Sequence, residues 1–141
     1  MENLIFKPKY DKLFWCIWIP TSILMLGVTA IGFYAPTTLF LLIPIDLFTF
    51  YFLISPLSGY VELRQSTLFV RFGFFITREI PYAKIRGLMK ERRWYSESML
   101  SLKSAMEHVN IKYNAFDVLT VSVTDNDALI LAIEERIAKI D

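Results

Sequence analysis

The amino-acid sequence predicts an α+β membrane protein, in which two transmembrane helices precede an antiparallel β domain closed by a C-terminal helix. Three observations support this prediction. Asp46 is the only charged residue in an apolar stretch over residues 13–61. After Pro56, apolar and polar residues alternate, which indicates half-buried strands. Near the C-terminus, apolar residues recur at helical spacing and define one stripe.

The apolar stretch is long enough for two membrane crossings. A bilayer core about 30 Å thick needs about 20 apolar residues per helix. Pro36 and its neighbours divide the stretch into residues 13–34 and residues 37–55. The predicted organisation is a polar lead over residues 1–12, a helical hairpin over residues 13–57 and a folded domain over residues 58–141.

Lysine residues determine the predicted orientation. Lys7, Lys9 and Lys12 precede the helical hairpin, whereas the turn over residues 34–37 contains no Lys or Arg. Cytoplasmic flanks of membrane helices carry an excess of these cations. We therefore expect a multi-pass protein of the inner (cytoplasmic) membrane, with both termini in the cytoplasm.

Asp46 needs a partner, because a carboxylate near the bilayer centre is costly unless it is neutralised or bonded. If the chain turns near Ala35, Asp46 lies opposite Met25 and within one helical turn of Ser22 and Thr29. One interpretation is a proton or ion relay, or a polar contact that joins subunits. The other is a neutral Asp hydrogen-bonded inside the helical hairpin, which is favoured because no second titratable partner is present.

Alternation after the helical hairpin predicts six strands. They cover residues 60–63, 68–72, 74–80, 84–90, 108–113 and 118–123. Gly73 falls where a strand can bulge or bend, and residues 92–104 form the longest irregular stretch. Thr124 followed by Asp127 is a short version of the capping box, so a helix should begin there.

Charge is unevenly distributed along the domain. Residues 64–93 contain eight basic and two acidic residues, whereas residues 94–141 contain four basic and eight acidic ones. We expect the basic half to face anionic lipid headgroups, with the acidic half left for a protein partner or a second copy. The candidate membrane-surface residues are Lys90, Arg92, Arg93, Trp94 and Tyr95. The alternative is a solvated loop whose Trp94 folds back over the domain.

The sequence contains no set of residues that dictates a reaction. His108 is the only histidine and lies on the predicted polar face of a strand, so we expect a surface side chain. Cys16 is the only cysteine, and neither residue has the companions of a metal site. We therefore expect no enzyme activity and no cofactor. The formal net charge of +1 gives no reason to expect nucleic-acid binding.

Two runs of residues resemble the strand-and-turn signature of the bacterial YyaB-like pleckstrin-homology (PH) domains. They are Leu68-Phe69-Val70-Arg71-Phe72-Gly73-Phe74-Phe75 and Ile80-Pro81-Tyr82-Ala83-Lys84-Ile85. The likeness extends over residues 60–137, although Asn114 stands where a turn glycine is common. The resemblance implies a PH-like antiparallel β-barrel or sandwich of about six or seven strands, capped by an α-helix. Two membrane helices ahead of such a domain are usual in this group, which has no established activity.

Together, these features predict a membrane-anchored binding or scaffold module on the cytoplasmic face, in contact with the lipid bilayer. The alternative is a small subunit of a membrane transport or channel assembly that uses Asp46.

Overall fold

The computed structural model describes residues 2–95, 101–102 and 105–140. Within these residues the chain forms eight strands and three helices. The strands are β1 (Leu4–Phe6), β2 (Tyr60–Leu63), β3 (Thr67–Phe72), β4 (Ile76–Pro81), β5 (Ile85–Arg92), β6 (Ser101–Leu102), β7 (Glu107–Tyr113) and β8 (Asp117–Val121). The helices are α1 (Lys12–Gly32), α2 (Pro36–Ser58) and α3 (Asn126–Ala138), and a short 3-10 turn, Tyr82–Lys84, joins β4 to β5.

The strands form two four-stranded sheets that enclose one apolar core. Their orders are β1-β2-β3-β4 and β5-β7-β8-β6, and neighbouring strands are antiparallel except for the parallel pair β6 and β8. Fully buried side chains from the sheets and α3 meet between them, among them Val61, Val70, Ile111, Leu119, Leu129 and Ile133. This confirms the predicted α+β class with antiparallel sheets and a C-terminal helix. Strands β1 and β6 lie outside the six strands that alternation predicts.

The first residues of the chain belong to the first sheet and do not form a separate lead. β1 pairs antiparallel with β2, so that Leu4 lies opposite Leu63. Beyond β1, Pro8 forms a bridge to Val123, just after β8, and so reaches the second sheet. The predicted polar lead over residues 1–12 thus includes a strand of the first sheet. A three-residue strand is too short to show alternation, which is why no periodicity marks it.

The helices α1 and α2 form the helical hairpin. The Asp11 carboxylate caps α1 by accepting a hydrogen bond from the Phe14 N–H at 3.1 Å. Pro36 opens α2, where a missing N–H costs nothing because the first N–H groups have no helical partner. Gly32 lets α1 approach α2 closely, since a Cβ atom there would lie 2.9 Å from the Leu39 side chain.

The two helices differ in how far their composition supports a membrane crossing. α1 is long and apolar enough to span a membrane, with a mean hydropathy of 1.8. Among the described residues, α1 is the one helix with this length and composition, because the apolar part of α2, Pro36–Tyr51, is shorter. The backbone of α2 continues as a helix to Ser58. Both predicted helices are therefore present.

The helical hairpin interrupts the first sheet. β1 precedes α1 and β2 follows α2, yet β1 and β2 are hydrogen-bonded neighbours. The chain therefore leaves and re-enters the domain at one end, which we call the hairpin end. At this end Asp11 Oδ2 accepts a hydrogen bond from the Met106 N–H at 2.8 Å. The Tyr51 hydroxyl of α2 donates to the Phe72 carbonyl at 3.1 Å.

The turn between β3 and β4 differs from the prediction. The sequence predicts a strand over residues 74–80, but β4 begins at Ile76. Gly73 has a φ of 70°, a conformation that glycine adopts at little cost, and the chain reverses there directly after β3. Phe74 and Phe75 consequently lie in a turn.

The helix α3 begins one residue later than the predicted cap implies. The sequence predicts Thr124 as the cap, but Asp125 occupies this position and accepts a hydrogen bond from the Ala128 N–H at 3.0 Å. Aspartate caps a helix at least as well as threonine does. The apolar stripe still faces the core, where Leu129 and Ile133 are fully buried.

A buried arginine on α3 bonds to the segment before β1 and to the turn after β2. Arg136 is 5% exposed, and its guanidinium donates to the Glu2 carbonyl at 2.8 Å and to the Arg64 carbonyl at 3.3 Å. The Tyr82 hydroxyl donates to the same Arg64 carbonyl at 2.8 Å. Burial raises the pKa of Tyr82, and the nearby Arg136 charge offsets part of that rise.

We expect Arg136→Met to lower the free energy of unfolding by about 1–3 kcal/mol, because the Glu2 carbonyl loses the donor that Arg136 supplies and the Arg64 carbonyl keeps only that of Tyr82. Lys139→Met is the matched control, since Lys139 is exposed just beyond α3, and it should change stability by less than about 0.5 kcal/mol. Denaturant unfolding of the detergent-solubilised full chain measures both values. Equal losses in the two variants would contradict the role given to Arg136.

Candidate membrane-facing surface and intramembrane site

The outer surface of the helical hairpin is apolar. Large side chains of both helices are exposed, for example Leu26 of α1 at 73% and Phe40 of α2 at 87%. Extended exposed apolar surface is rare on soluble monomers and marks contact with a membrane or another protein. The helical hairpin therefore requires an apolar environment.

Several polar side chains of the helical hairpin are bonded within it. Thr21, Ser22 and Thr49 each donate a hydroxyl to the carbonyl four residues earlier, at 2.6, 2.8 and 2.8 Å. The Trp18 indole N–H donates to the Leu53 carbonyl at 3.1 Å and so links α1 to α2. Groups satisfied in this way are compatible with lipid, where no water replaces a missing partner.

Asp46 and Thr29 meet between the two helices. The Thr29 hydroxyl donates to Asp46 Oδ2, which is one of the two contacts that helical spacing predicts. Ser22, the other candidate, donates to the Trp18 carbonyl instead. The structure therefore brings Asp46 together with one hydroxyl of the predicted pair.

A groove of about 430 Å³ runs beside Asp46. It is lined by Trp18, Ser22, Met25, Leu26, Thr29, Asp46, Leu47 and Phe50. Among these lining residues, Asp46 is the only acidic or basic one. A relay passes a proton or ion between several polar groups, so this groove supports a structural or assembly role for Asp46 better than a relay.

Three of the candidate membrane-surface residues form a cluster at the hairpin end. The rings of Trp94 and Tyr95 meet edge to face with centroids 5.5 Å apart, and Arg93 Nη1 donates to the Tyr95 hydroxyl at 3.1 Å. Trp94 is 73% exposed and so does not pack over the core. The Arg93 N–H donates to the Met106 carbonyl at 3.0 Å, and Met106 in turn contacts Asp11. This basic aromatic cluster therefore lies beside the start of α1.

Lys90 does not belong to the basic aromatic cluster. Its Nζ lies 2.8 Å from Asp127 Oδ1 and 3.9 Å from Glu107 Oε1. The hydrogen bond to Asp127 is the largest of the effects that raise the pKa of Lys90. Because two carboxylates hold this ammonium group, it is poorly placed to bind an anionic lipid. The exposed Arg92 remains a candidate.

The basic residues of the segment 64–93 do not share one face. The strands run the length of the domain, so the β2–β3 turn with Arg64 lies at the end opposite to Arg92 and Arg93. Arg64 is also paired with Glu62, at 3.2 Å. The basic residues of this segment therefore do not form one basic face, because charge counted along the sequence combines residues from both ends of the strands.

His108 is buried, contrary to the prediction of a surface side chain. It is 0% exposed, its Nδ1 lies 3.0 Å from the Met106 carbonyl oxygen, and its Nε2 lies 3.9 Å from Glu91 Oε2. On the same side of the second sheet, the Thr120 hydroxyl donates to Asn110 Oδ1 at 2.7 Å, and both residues are buried. Within the described residues, no three or more potential metal ligands gather at one place.

The sequence reasoning missed the exposed residues of the β3–β4 turn. Phe74 is 52% exposed and Phe75 is 85% exposed, and both lie at the hairpin end because β3 ends there. A signal was present in the sequence, since residues 72–76 contain no polar side chain. Surface turns usually carry Asn, Asp, Ser or Pro alongside glycine.

Comparison with family models matches residues 59–137 to a model described as Bacterial PH domain. The match covers more than half of the chain and includes β2 to β8 and most of α3. No curated protein and no solved structure matches the chain. β1 and the helical hairpin up to Ser58 lie outside the matched range.

We expect Thr29→Val and Asp46→Leu to couple by about 0.6–1.7 kcal/mol in a double-mutant cycle, because either substitution alone removes their hydrogen bond. A cycle that pairs Ser22→Ala with Asp46→Leu is the control. It should be additive within about 0.5 kcal/mol, because Ser22 is bonded to its own helix. Unfolding of the full chain in micelles supplies the free energies. Equal coupling in both cycles would contradict the specific contact.

Proposed function

The chain belongs to the bacterial PH domain family, and on this premise we propose that it is a non-enzymatic binding or scaffold module anchored in the inner membrane. In finer terms, we propose that it is YyaB-like, with the domain at the cytoplasmic face. The observation that carries the proposal is the position of an apolar helical hairpin between two paired strands, β1 and β2.

Two membrane crossings fit this position better than one. Because β1 and β2 pair, the helical hairpin must start and end on the same side of the membrane, which requires an even number of crossings. α1 has 21 residues and α2 has 23. At 1.5 Å per residue, these helices are about 31 and 34 Å long. Each full helix, with its turns nearest the domain included, is about as long as a hydrocarbon core about 30 Å thick.

The lysines around α1 support the cytoplasmic location. Lys7, Lys9 and Lys12 lie at the hairpin end, whereas the turn between α1 and α2 has no Lys or Arg. By the positive-inside tendency, the domain then lies in the cytoplasm.

The exposed face of α3 is our candidate for protein contacts. Glu134 and Glu135 are exposed there, and Leu131 is 60% exposed. An apolar side chain flanked by carboxylates suits a partner that carries basic residues at the rim of its contact surface. We propose that a partner protein or a second copy binds at this face.

A small subunit of a transport or channel assembly is the second candidate function. The groove beside Asp46 favours it, because a half-buried carboxylate on an apolar helical surface is suited to contact another membrane helix. This function differs from the first in requiring Asp46 for transport, and not only for stability.

We expect a membrane-impermeant thiol reagent to label Ala35→Cys, but not Phe116→Cys, in intact spheroplasts. Both variants carry Cys16→Ala, which removes the native thiol. Ala35 lies in the turn between α1 and α2, and Phe116 lies in the turn between β7 and β8. The reverse labelling pattern would place the domain outside. Labelling of both positions, with the membrane intact, would contradict the double crossing.

We expect lipid charge to change the environment of Trp94, because Arg92 and Arg93 lie beside it at the hairpin end. In a Trp15→Phe, Trp18→Phe background, Trp94 is the only tryptophan. In anionic nanodiscs its emission should be blue-shifted and protected from acrylamide relative to zwitterionic nanodiscs. The difference should shrink as salt rises, since exposed charges are screened over about 10 Å at 0.1 M.

Arg92→Gln should weaken this dependence on lipid charge. Lys90→Gln is the matched control and should leave it unchanged, because Asp127 and Glu107 already hold Lys90. Equal effects of the two substitutions would show that the overall charge of the domain, and not the position of Arg92 beside Trp94, produces the response to lipid charge.

A further inference from the structure

The β3–β4 turn presents an apolar tip at the hairpin end of the domain. Gly73 turns the chain, and the three residues that follow are all large and apolar. Phe74 is 52% exposed, Phe75 is 85% exposed and Ile76 is 38% exposed. In water this concentration of exposed apolar surface is unfavourable.

The apolar tip lies alongside α2 and not beneath its end. The Phe75 ring stacks on the Tyr51 ring, with centroids 6.1 Å apart and planes at 18°. The Tyr51 hydroxyl holds the base of the turn through the Phe72 carbonyl, at 3.1 Å. Tyr51 precedes Ser58, the last residue of α2, by seven positions. At 1.5 Å per residue, the apolar tip therefore lies about 10 Å along α2 from Ser58, the residue at which α2 meets the domain.

Other aromatic residues lie at the same level of the helical hairpin. Trp18 bonds to the Leu53 carbonyl, two positions from Tyr51, and its ring contacts that of Trp15 edge to face at 5.8 Å. Tryptophan and tyrosine concentrate where the hydrocarbon core meets the headgroups. Phe75 is thus level with side chains that mark this interface.

Arg71 donates hydrogen bonds to two carbonyl groups of the apolar tip. Its Nε donates to the Gly73 carbonyl at 2.9 Å, and its Nη2 donates to the Phe74 carbonyl at 3.3 Å. A turn that enters lipid needs such internal partners, because water is not available to its backbone. The same guanidinium at the base of the turn is suited to the level of the lipid phosphates.

We propose that Phe74 and Phe75 insert into the interfacial layer of the bilayer that the helical hairpin crosses. This inference rests on the proposed membrane anchoring and adds a further membrane contact beside α1 and α2. β4 begins at the apolar tip, so insertion of the tip holds this end of β4 at the membrane and limits rotation of the domain about the helical hairpin.

The test measures the depth of single fluorescent labels on the full chain in nanodiscs, in a Cys16→Ala background. Phe74→Cys reports on the apolar tip and keeps the stacking of Phe75 on Tyr51, while Phe75→Cys is a second tip position. Ile43→Cys, half-exposed in α2, reports on anchoring. Phe116→Cys, 97% exposed in the distant β7–β8 turn, is the aqueous control. The lipids carry a nitroxide quencher either near the headgroup or near the end of the acyl chain.

We expect the shallow quencher to act most strongly on both tip labels and the deep quencher on the Ile43→Cys label, while the Phe116→Cys label responds to neither. If the Ile43→Cys label is quenched but the tip labels behave like that of Phe116→Cys, insertion of the apolar tip is wrong and the anchoring stands. If the deep quencher does not affect the Ile43→Cys label, the proposed anchoring fails, and the inference fails with it.

Discussion

The pairing of β1 with β2 is the constraint on which the rest of the structure depends. These strands are separated by the whole helical hairpin, yet Leu4 lies directly opposite Leu63. Their pairing brings the two ends of the helical hairpin to one end of the domain and requires α1 and α2 to run in opposite directions. It also makes the N-terminal segment part of the sheet, so the domain is assembled from residues on both sides of the helices.

Polar contacts at the hairpin end fix the position of the two helices relative to the domain. The two carboxylate oxygens of Asp11 have different partners, since Oδ1 caps α1 at Phe14 and Oδ2 accepts from Met106 of the domain. The first N–H groups of a helix lack helical partners, so this single side chain stabilises the helix start and attaches it to the second sheet. Tyr51 attaches α2 to the first sheet in the same manner. Each helix is thereby held by a different sheet.

Sequence patterns predicted the helices and most strands, because long apolar runs and alternation report directly on burial. They failed where burial depends on distant segments. Alternation placed His108 on the side of β7 opposite Val109, but it contains no information on whether that side is covered. Three-residue strands such as β1 have no measurable period. Thr29 was predicted as a neighbour of Asp46 because helical spacing alone sets that distance, whereas the cluster of Arg93 with Tyr95 depends on side-chain conformations that spacing does not determine.

The contact between Arg136 and the Glu2 carbonyl spans 134 positions of the chain, and this separation sets the order in which the domain can be completed during synthesis. β1 leaves the ribosome before β2 and remains without this partner until both helices and β2 have followed. Closure of so long a loop is entropically costly, and the formed helical hairpin reduces that cost because it already holds its two ends together. The helix α3, which follows β8 in the chain, then packs over the segment that contains Glu2. Pairing of β1 with β2 therefore requires that both helices have already been synthesised.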